Sequence, residues 1–220
     1  MMNNISAKIA AISRHRLAID GDGVTTLVVF AGCPLCCRYC LNPLTLSPNP
    51  KFKNLTPQQL YEKVSIDSLY FVATGGGVTF GGGEPCLHPD FIDEFRKLCG
   101  PQWQIRVETS LNIPSDNLAK LLDNVDQFII DIKDTDSDIY SDYTHTDNKL
   151  VMSNLRLLAD EKFCDKCIIR LPLIPGYNTD ANRQSSHEKL NILGFKNYDY
   201  FNYKIKENPL WHEANKLVKS

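Results

Sequence analysis

Three cysteines, Cys33, Cys37 and Cys40, fall within the eight-residue run CPLCCRYC, spaced Cys-x3-Cys-x2-Cys. Thiolates are soft ligands, and three of them this close suit zinc or an iron–sulfur cluster. A closed structural zinc site takes four ligands, whereas a site that does chemistry keeps one position open. On a 4Fe–4S cluster, three cysteines leave one iron free to bind something else. Cys36 adjoins Cys37, and adjacent cysteines rarely reach one small cluster together. Further along stand Gly81, Gly82 and Gly83 before Glu84, then Glu108 with Thr109, Asp131 with Lys133, and Arg170. Glycines let the main chain approach a ligand closely, and arginine offers a flat fork that stays charged. Taken singly, each acid reads equally well as a helix cap or a solvated charge, the glycines as a plain strand-to-helix connection, and Arg170 as half of an interior ion pair.

These groups follow apolar runs, so strand ends must position them. Strands are predicted over 24–30, 78–80, 105–109, 128–132, 167–172 and 198–203, after an entry strand and loop within 5–19 and a turn at 20–23. Thr56 caps a helix opened by Pro57 and running to about residue 65. Further helices are expected over 89–98, over 116–122 capped by Ser115, over 136–161 with a break near Thr146, and within 178–193. Residues 43–54 carry three prolines and read as irregular. Strands alternating with helices imply parallel βαβ units. About six such strands are too few for a closed eight-fold barrel. The expected fold is therefore α/β, a partial (β/α)6 TIM-like barrel with its site at the C-terminal strand ends.

The 220 residues suit one domain, 43% of them hydrophobic, with a net charge of −2 that gives no electrostatic reason to expect nucleic acid or an anionic membrane as partner. No run approaches the length of a membrane span. The first residues lack a signal-peptide pattern, so a cytoplasmic protein is expected. Eight cysteines are many for such a protein, and metal or catalysis is the expected use of several. The surplus suits a reducing, anaerobic setting. Cys164 and Cys167 form a CxxC without a second pair to complete a zinc site; a local role is expected for them, and none for Cys36, Cys86 or Cys99.

The cysteine spacing, with Tyr39 and Asn42 flanking Cys40, resembles the radical S-adenosylmethionine (SAM) superfamily. The stretch 75–87, GGGVTFGGGEPCL, is similar to the activating enzymes of glycyl radical enzymes, typified by pyruvate formate-lyase activating enzyme, as is DGDGV at 20–24. The resemblance covers nearly the whole chain in order, as a single radical SAM domain over 1–220. It implies one 4Fe–4S cluster on Cys33, Cys37 and Cys40 whose open iron chelates SAM. Reductive cleavage then gives a deoxyadenosyl radical that takes hydrogen from a glycine of a partner glycyl radical enzyme. SAM contacts are implied for Tyr39, Leu41, Asn42, Gly82, Gly83, Glu84, Thr109, Asp131, Ile132, Lys133, Arg170 and Lys204, with Arg170 also a catalytic candidate. A monovalent cation is implied at Glu108, Thr109, the Ile129 carbonyl and Asp131, and flavodoxin or ferredoxin as electron donor.

Several positions depart from that pattern. Glu108 stands where the family often has Asp, Lys204 where it has a His near adenine, and His145 where it has a Gly. The ferredoxin-like insert of some activases is missing between Asn42 and Gly75. A second reading is a radical SAM enzyme for a small molecule or peptide, of the deazaguanine synthase kind. The glycines before Val78 favour the activases over it. A third reading is a zinc-binding structural module.

Overall fold

All six apolar runs form strands, and they lie parallel in one sheet. The computed structural model describes residues 5–17, 20–47, 51–206, 208 and 210. The parallel strands are β2 (Val24–Phe30), β4 (Gly77–Gly82), β5 (Gln104–Thr109), β6 (Gln127–Asp131), β7 (Cys167–Leu173) and β8 (Tyr198–Asn202). Strand β1 (Ala7–Leu17) runs antiparallel beside β2, and β3 (Lys53–Leu55) antiparallel beside β1. The order is β3-β1-β2-β4-β5-β6-β7-β8, so β3 and β8 are the edges of an open sheet. The result is the expected partial barrel.

Helices return the chain between these strands: α1 (Pro57–Val64), α2 (Ser68–Thr74), α3 (Pro89–Cys99), α4 (Ser115–Leu121), α5 (Ser137–Thr144), α6 (Lys149–Asp160) and α7 (Asp180–Ile192). Thr56 caps α1 through a reciprocal bond with Gln59. The expected break near Thr146 separates α5 from α6. His145 ends α5 at φ 59°, a left-handed position that glycine takes without strain.

Successive side chains on a strand face opposite ways, and that alternation divides apolar from charged. Val28, Phe30, Val78, Phe80, Ile105, Val107, Phe128, Ile130 and Ile169 are fully buried in the core. Phe30 meets Phe80 and Phe91 edge-on, and Phe80 meets Phe95, with ring centroids 5.3–5.6 Å apart. Each such buried side chain contributes about 1.5–3 kcal/mol. The intervening positions put Gly81, Arg106, Glu108, Asp131 and Arg170 on the other face.

Three local expectations need correction. Helix α2 has no counterpart among the expected helices, because Leu69, Tyr70 and Val72 are exposed and only Phe71 is buried, leaving no apolar stripe to read. Ser115 does not cap α4; Pro114 precedes the helix, and the Ser115 hydroxyl donates to Asn154 Oδ1 at 2.7 Å. The 43–54 stretch holds a 3-10 turn at Pro43–Leu46 and β3; Pro48 and Pro50 lie outside the described residues. The glycines before Val78 answer a packing need: a Cβ on Gly76 would lie 1.9 Å from Val24 O, and one on Gly77 2.0 Å from Gln104 O. Among the described residues no helix is long and apolar enough to cross a membrane.

Candidate functional site

Beyond Phe30 the chain turns through Ala31 and Gly32 into the cysteine loop, which neighbouring backbone pins in place. Cys36 N donates to Thr144 O and Arg38 N to Tyr143 O, each at 3.1 Å. From the far end of the chain, fully buried Asn208 donates its side-chain amide to Cys37 O at 3.0 Å and its N–H to Arg38 O at 2.8 Å. Cys33, Cys37 and Cys40 all line one cavity at the C-terminal ends of the strands, and Cys36 does not. Burial raises all three thiols, Cys37 to about 12, so without a metal they are protonated at neutral pH.

The opposite wall is bare backbone. Gly82 has φ 98°, and a Cβ there would lie 2.3 Å from Val29 Cγ1; one on Gly83 would lie 2.1 Å from Gly32 O. Gly83 N donates to Phe30 O at 3.0 Å and Glu84 N to Gly32 O at 2.7 Å, tying this turn to the start of the cysteine loop. Glu84 itself does not reach the cavity. It is fully buried, and its Oε1 accepts from Thr109 Oγ1 at 2.8 Å and Cys86 N at 3.2 Å. Its Oε2 accepts from Ser110 N at 2.9 Å and Ser110 Oγ at 2.8 Å. The carboxylate clasps the ends of β4 and β5 together.

The floor is charged. Lys133 Nζ lies 3.2 Å from Asp131 Oδ2 and 3.4 Å from Tyr203 Oη, above whose ring it also sits. Burial works against the charge on Lys133, but Asp131 holds it protonated, above the ordinary lysine range. Asp131 Oδ1 is buried and accepts no hydrogen bond among the described residues. Arg170 Nη1 donates to Glu108 Oε1 at 2.8 Å, and its Nε is 3.5 Å from Asp199 Oδ2. Burial pushes the Glu108 carboxyl up, and Arg170 opposes that shift.

Of the residues singled out in the sequence, Cys33, Cys37, Cys40, Leu41, Asn42, Gly82, Gly83, Glu108, Thr109, Asp131, Lys133 and Arg170 line this one cavity. Tyr39 is buried against Tyr143 and Tyr177 behind the cysteine loop, and Ile129 and Ile132 are buried. Lys204 is exposed and outside the lining; its neighbour Tyr203 takes that wall. Sequence reasoning also missed Leu35, Ser110 and the clamp Asn208. The Cys164–Lys166 turn and Cys167 lie at the start of β7, away from the strand ends that carry the site.

The cavity fits a thiolate-bound cluster. The three motif thiols share one cavity, a soft donor set that would hold an iron–sulfur cluster with one position left open. The glycine wall, the unpartnered Asp131 Oδ1 and the cations Lys133 and Arg170 suit a ligand carrying both charges, as SAM does.

The family model of the radical SAM superfamily matches residues 27–184. Over 218 residues the chain is 29% identical to the pyruvate formate-lyase 2-activating enzyme of Escherichia coli K12, covering 85% of this chain and 73% of that one. Over 122 residues it is 38% identical to the pyruvate formate-lyase-activating enzyme of Clostridium pasteurianum, covering 56% of this chain and 51% of that one. It therefore spans about half to three quarters of the length of these two relatives. Among solved structures, a domain of pyruvate-formate lyase-activating enzyme from Bacteroides vulgatus superposes with a TM-score of 0.50 at 29% identity, over 66% of this chain and 93% of that one.

Proposed function

The chain belongs to the radical SAM superfamily, and from that premise we propose that it activates a partner enzyme by taking a hydrogen atom from one of its backbone glycines, leaving a glycyl radical. One observation carries the reading: the three motif thiols, the bare Gly82–Gly83 backbone and the Asp131, Lys133 and Arg170 charges all face a single cavity. Relatives named as activating enzymes support the choice of a protein substrate. Superfamily members use a 4Fe–4S cluster and SAM, which supply the one-electron chemistry when bound.

This chain's residues have separate tasks. Cys33, Cys37 and Cys40 hold the cluster. The main chain at Gly82 and Gly83 meets the methionine end of SAM, and Asp131 Oδ1 accepts from it. Lys133 and Arg170 set positive charge beside its carboxylate. Glu84 holds the turn that carries the glycines. Tyr203 screens Lys133 from water. The electron donor is a flavodoxin or ferredoxin, the setting is cytoplasmic, and the residues given act as a single radical SAM domain.

The test uses anaerobically reconstituted enzyme with SAM, reductant and a candidate partner. A glycyl radical doublet by electron paramagnetic resonance is expected only with the cognate partner. Deuterium from its labelled glycine should enter deoxyadenosine. Label arriving from a small molecule with no partner protein present would transfer the chain to the small-molecule branch of the superfamily.

A further inference from the structure

Of the residues implied as ligands of a monovalent cation, Glu108 and Thr109 are already engaged within this chain. Glu108 Oε1 is already held by Arg170 Nη1 at 2.8 Å. The Thr109 hydroxyl donates to Glu84 at 2.8 Å and accepts from Leu111 N at 2.9 Å. An alkali ion on Glu108 would sit directly beside the guanidinium, and like charges at that range repel.

The sheet order explains why the pair forms. Glu108 is on β5 and Arg170 on β7, with β6 between them. Neighbouring strands lie about 4.8 Å apart, so the two backbones are separated by roughly 9.6 Å. In register, Glu108 faces Ile129 of β6, and Asp131 faces Arg170. The ion pair therefore crosses β6 diagonally, from the level of Ile129, whose carbonyl was another expected ligand, to that of Asp131. Spanning two strands takes a long side chain from each side. Aspartate at position 108, one methylene shorter, would leave the carboxylate short of the guanidinium. Asp199, paired in register with Arg170 from β8, steadies the same guanidinium from its other side.

We propose that Arg170, drawn over the floor by Glu108, is the resident cation of this site, so that SAM binds to this chain without an alkali metal ion. The inference rests on the reading that SAM occupies the cavity, but not on the identity of the hydrogen donor.

The experiment measures SAM affinity of the cluster-loaded enzyme by isothermal titration in sodium, potassium and choline chloride at equal ionic strength, with no partner protein. The wild type should bind SAM within twofold in all three salts. Glu108→Asp should bind at least tenfold more weakly in choline than in potassium or sodium, because shortening the side chain frees the floor for an ion. Sodium-23 relaxation with SAM present should show no saturable site on the wild type and one on Glu108→Asp. A tenfold loss of wild-type affinity in choline, or a saturable sodium site on the wild type, overturns the proposal while leaving the SAM reading intact. Failure to bind SAM in any salt overturns both.

Discussion

Replacing Glu84 with Gln separates two roles for the glutamate that follows the glycines. The amide keeps the shape and removes the charge. In the native protein each carboxylate oxygen accepts one main-chain N–H and one hydroxyl: Cys86 N and Thr109 Oγ1 on Oε1, Ser110 N and Ser110 Oγ on Oε2. Burial pushes the Glu84 carboxyl up, and the hydrogen bonds from Ser110, Thr109 and Cys86 oppose that shift. A hydroxyl can turn to accept from the new NH2 group, but a peptide N–H cannot. Whichever way the substituted amide lies, one backbone N–H faces another donor inside the protein. A lost bond to a charged group costs about 1.5–3 kcal/mol and a stranded buried donor about 1–3. The two overlap, which sets the expected loss for Glu84→Gln at about 2–4 kcal/mol.

That loss belongs to the apoprotein, and urea denaturation under anaerobic conditions reads it. With a slope of about 2 kcal/mol/M, the midpoint should fall by roughly 1–2 M. SAM affinity of the variant, measured well below its midpoint, should fall only as far as the glycine turn loosens. If Glu84 served mainly to touch the SAM amino group, the result would invert, with SAM affinity lost and the apoprotein unchanged. An apoprotein midpoint within about 0.2 M of the wild type would refute the clasp.

Other perturbations probe the remaining walls. Cys33→Ala, Cys37→Ala and Cys40→Ala should each abolish cluster iron and its visible absorption, while Cys36→Ala and Cys164→Ala should reconstitute normally. Lys133→Ala strands Asp131 and should weaken SAM binding by about 1–3 kcal/mol by titration, with Tyr203→Phe losing less because the ring remains. The Cys37 thiol, raised by burial from an unfolded value near 8.5 to about 12, makes apoprotein stability depend on pH. The folded state holds this proton more tightly, so the contribution is complete below about pH 8.5 and lost as pH rises towards 12. Between pH 7 and 10 the wild-type apoprotein should lose about 2 kcal/mol more than Cys37→Ala, read as the difference between their urea midpoints.

The parallel strands were legible because each is an apolar or alternating run of strand length rich in β-branched or aromatic residues, and the helices because caps and stripes mark them. Thr56 and Pro57 placed the start of α1 to the residue. Helix α2 could not be read, since its exposed Leu69, Tyr70 and Val72 break the periodicity that marks a helix facing a core. Cavity-lining cysteines, glycines and strand-end charges were legible because spacing and chain order carry them. Tyr203 and Asn208 were not. Their tasks come from long-range contacts, Tyr203 Oη to Lys133 at 3.4 Å and the Asn208 side chain to Cys37 O at 3.0 Å, and no local pattern encodes a partner 70 or 171 residues away.

Those contacts also show where sequence position and chemical role part company. Glu84 and Glu108 both stand at strand ends, where an acid is expected to face the ligand. The alternation of β5 sends Glu108 inward to Arg170, while Glu84 turns back under the glycines to bind Thr109 and Ser110. One acid thus sets the electrostatics of the floor and the other the shape of the wall. A carboxylate with four donors around it has no acceptor capacity left for substrate, whereas Asp131, with one oxygen on Lys133 and the other buried and unpartnered among the described residues, does. The open acceptor of the cavity is therefore Asp131 rather than Glu84, and the donor groups of SAM should be sought against the part of its carboxylate that faces the cavity.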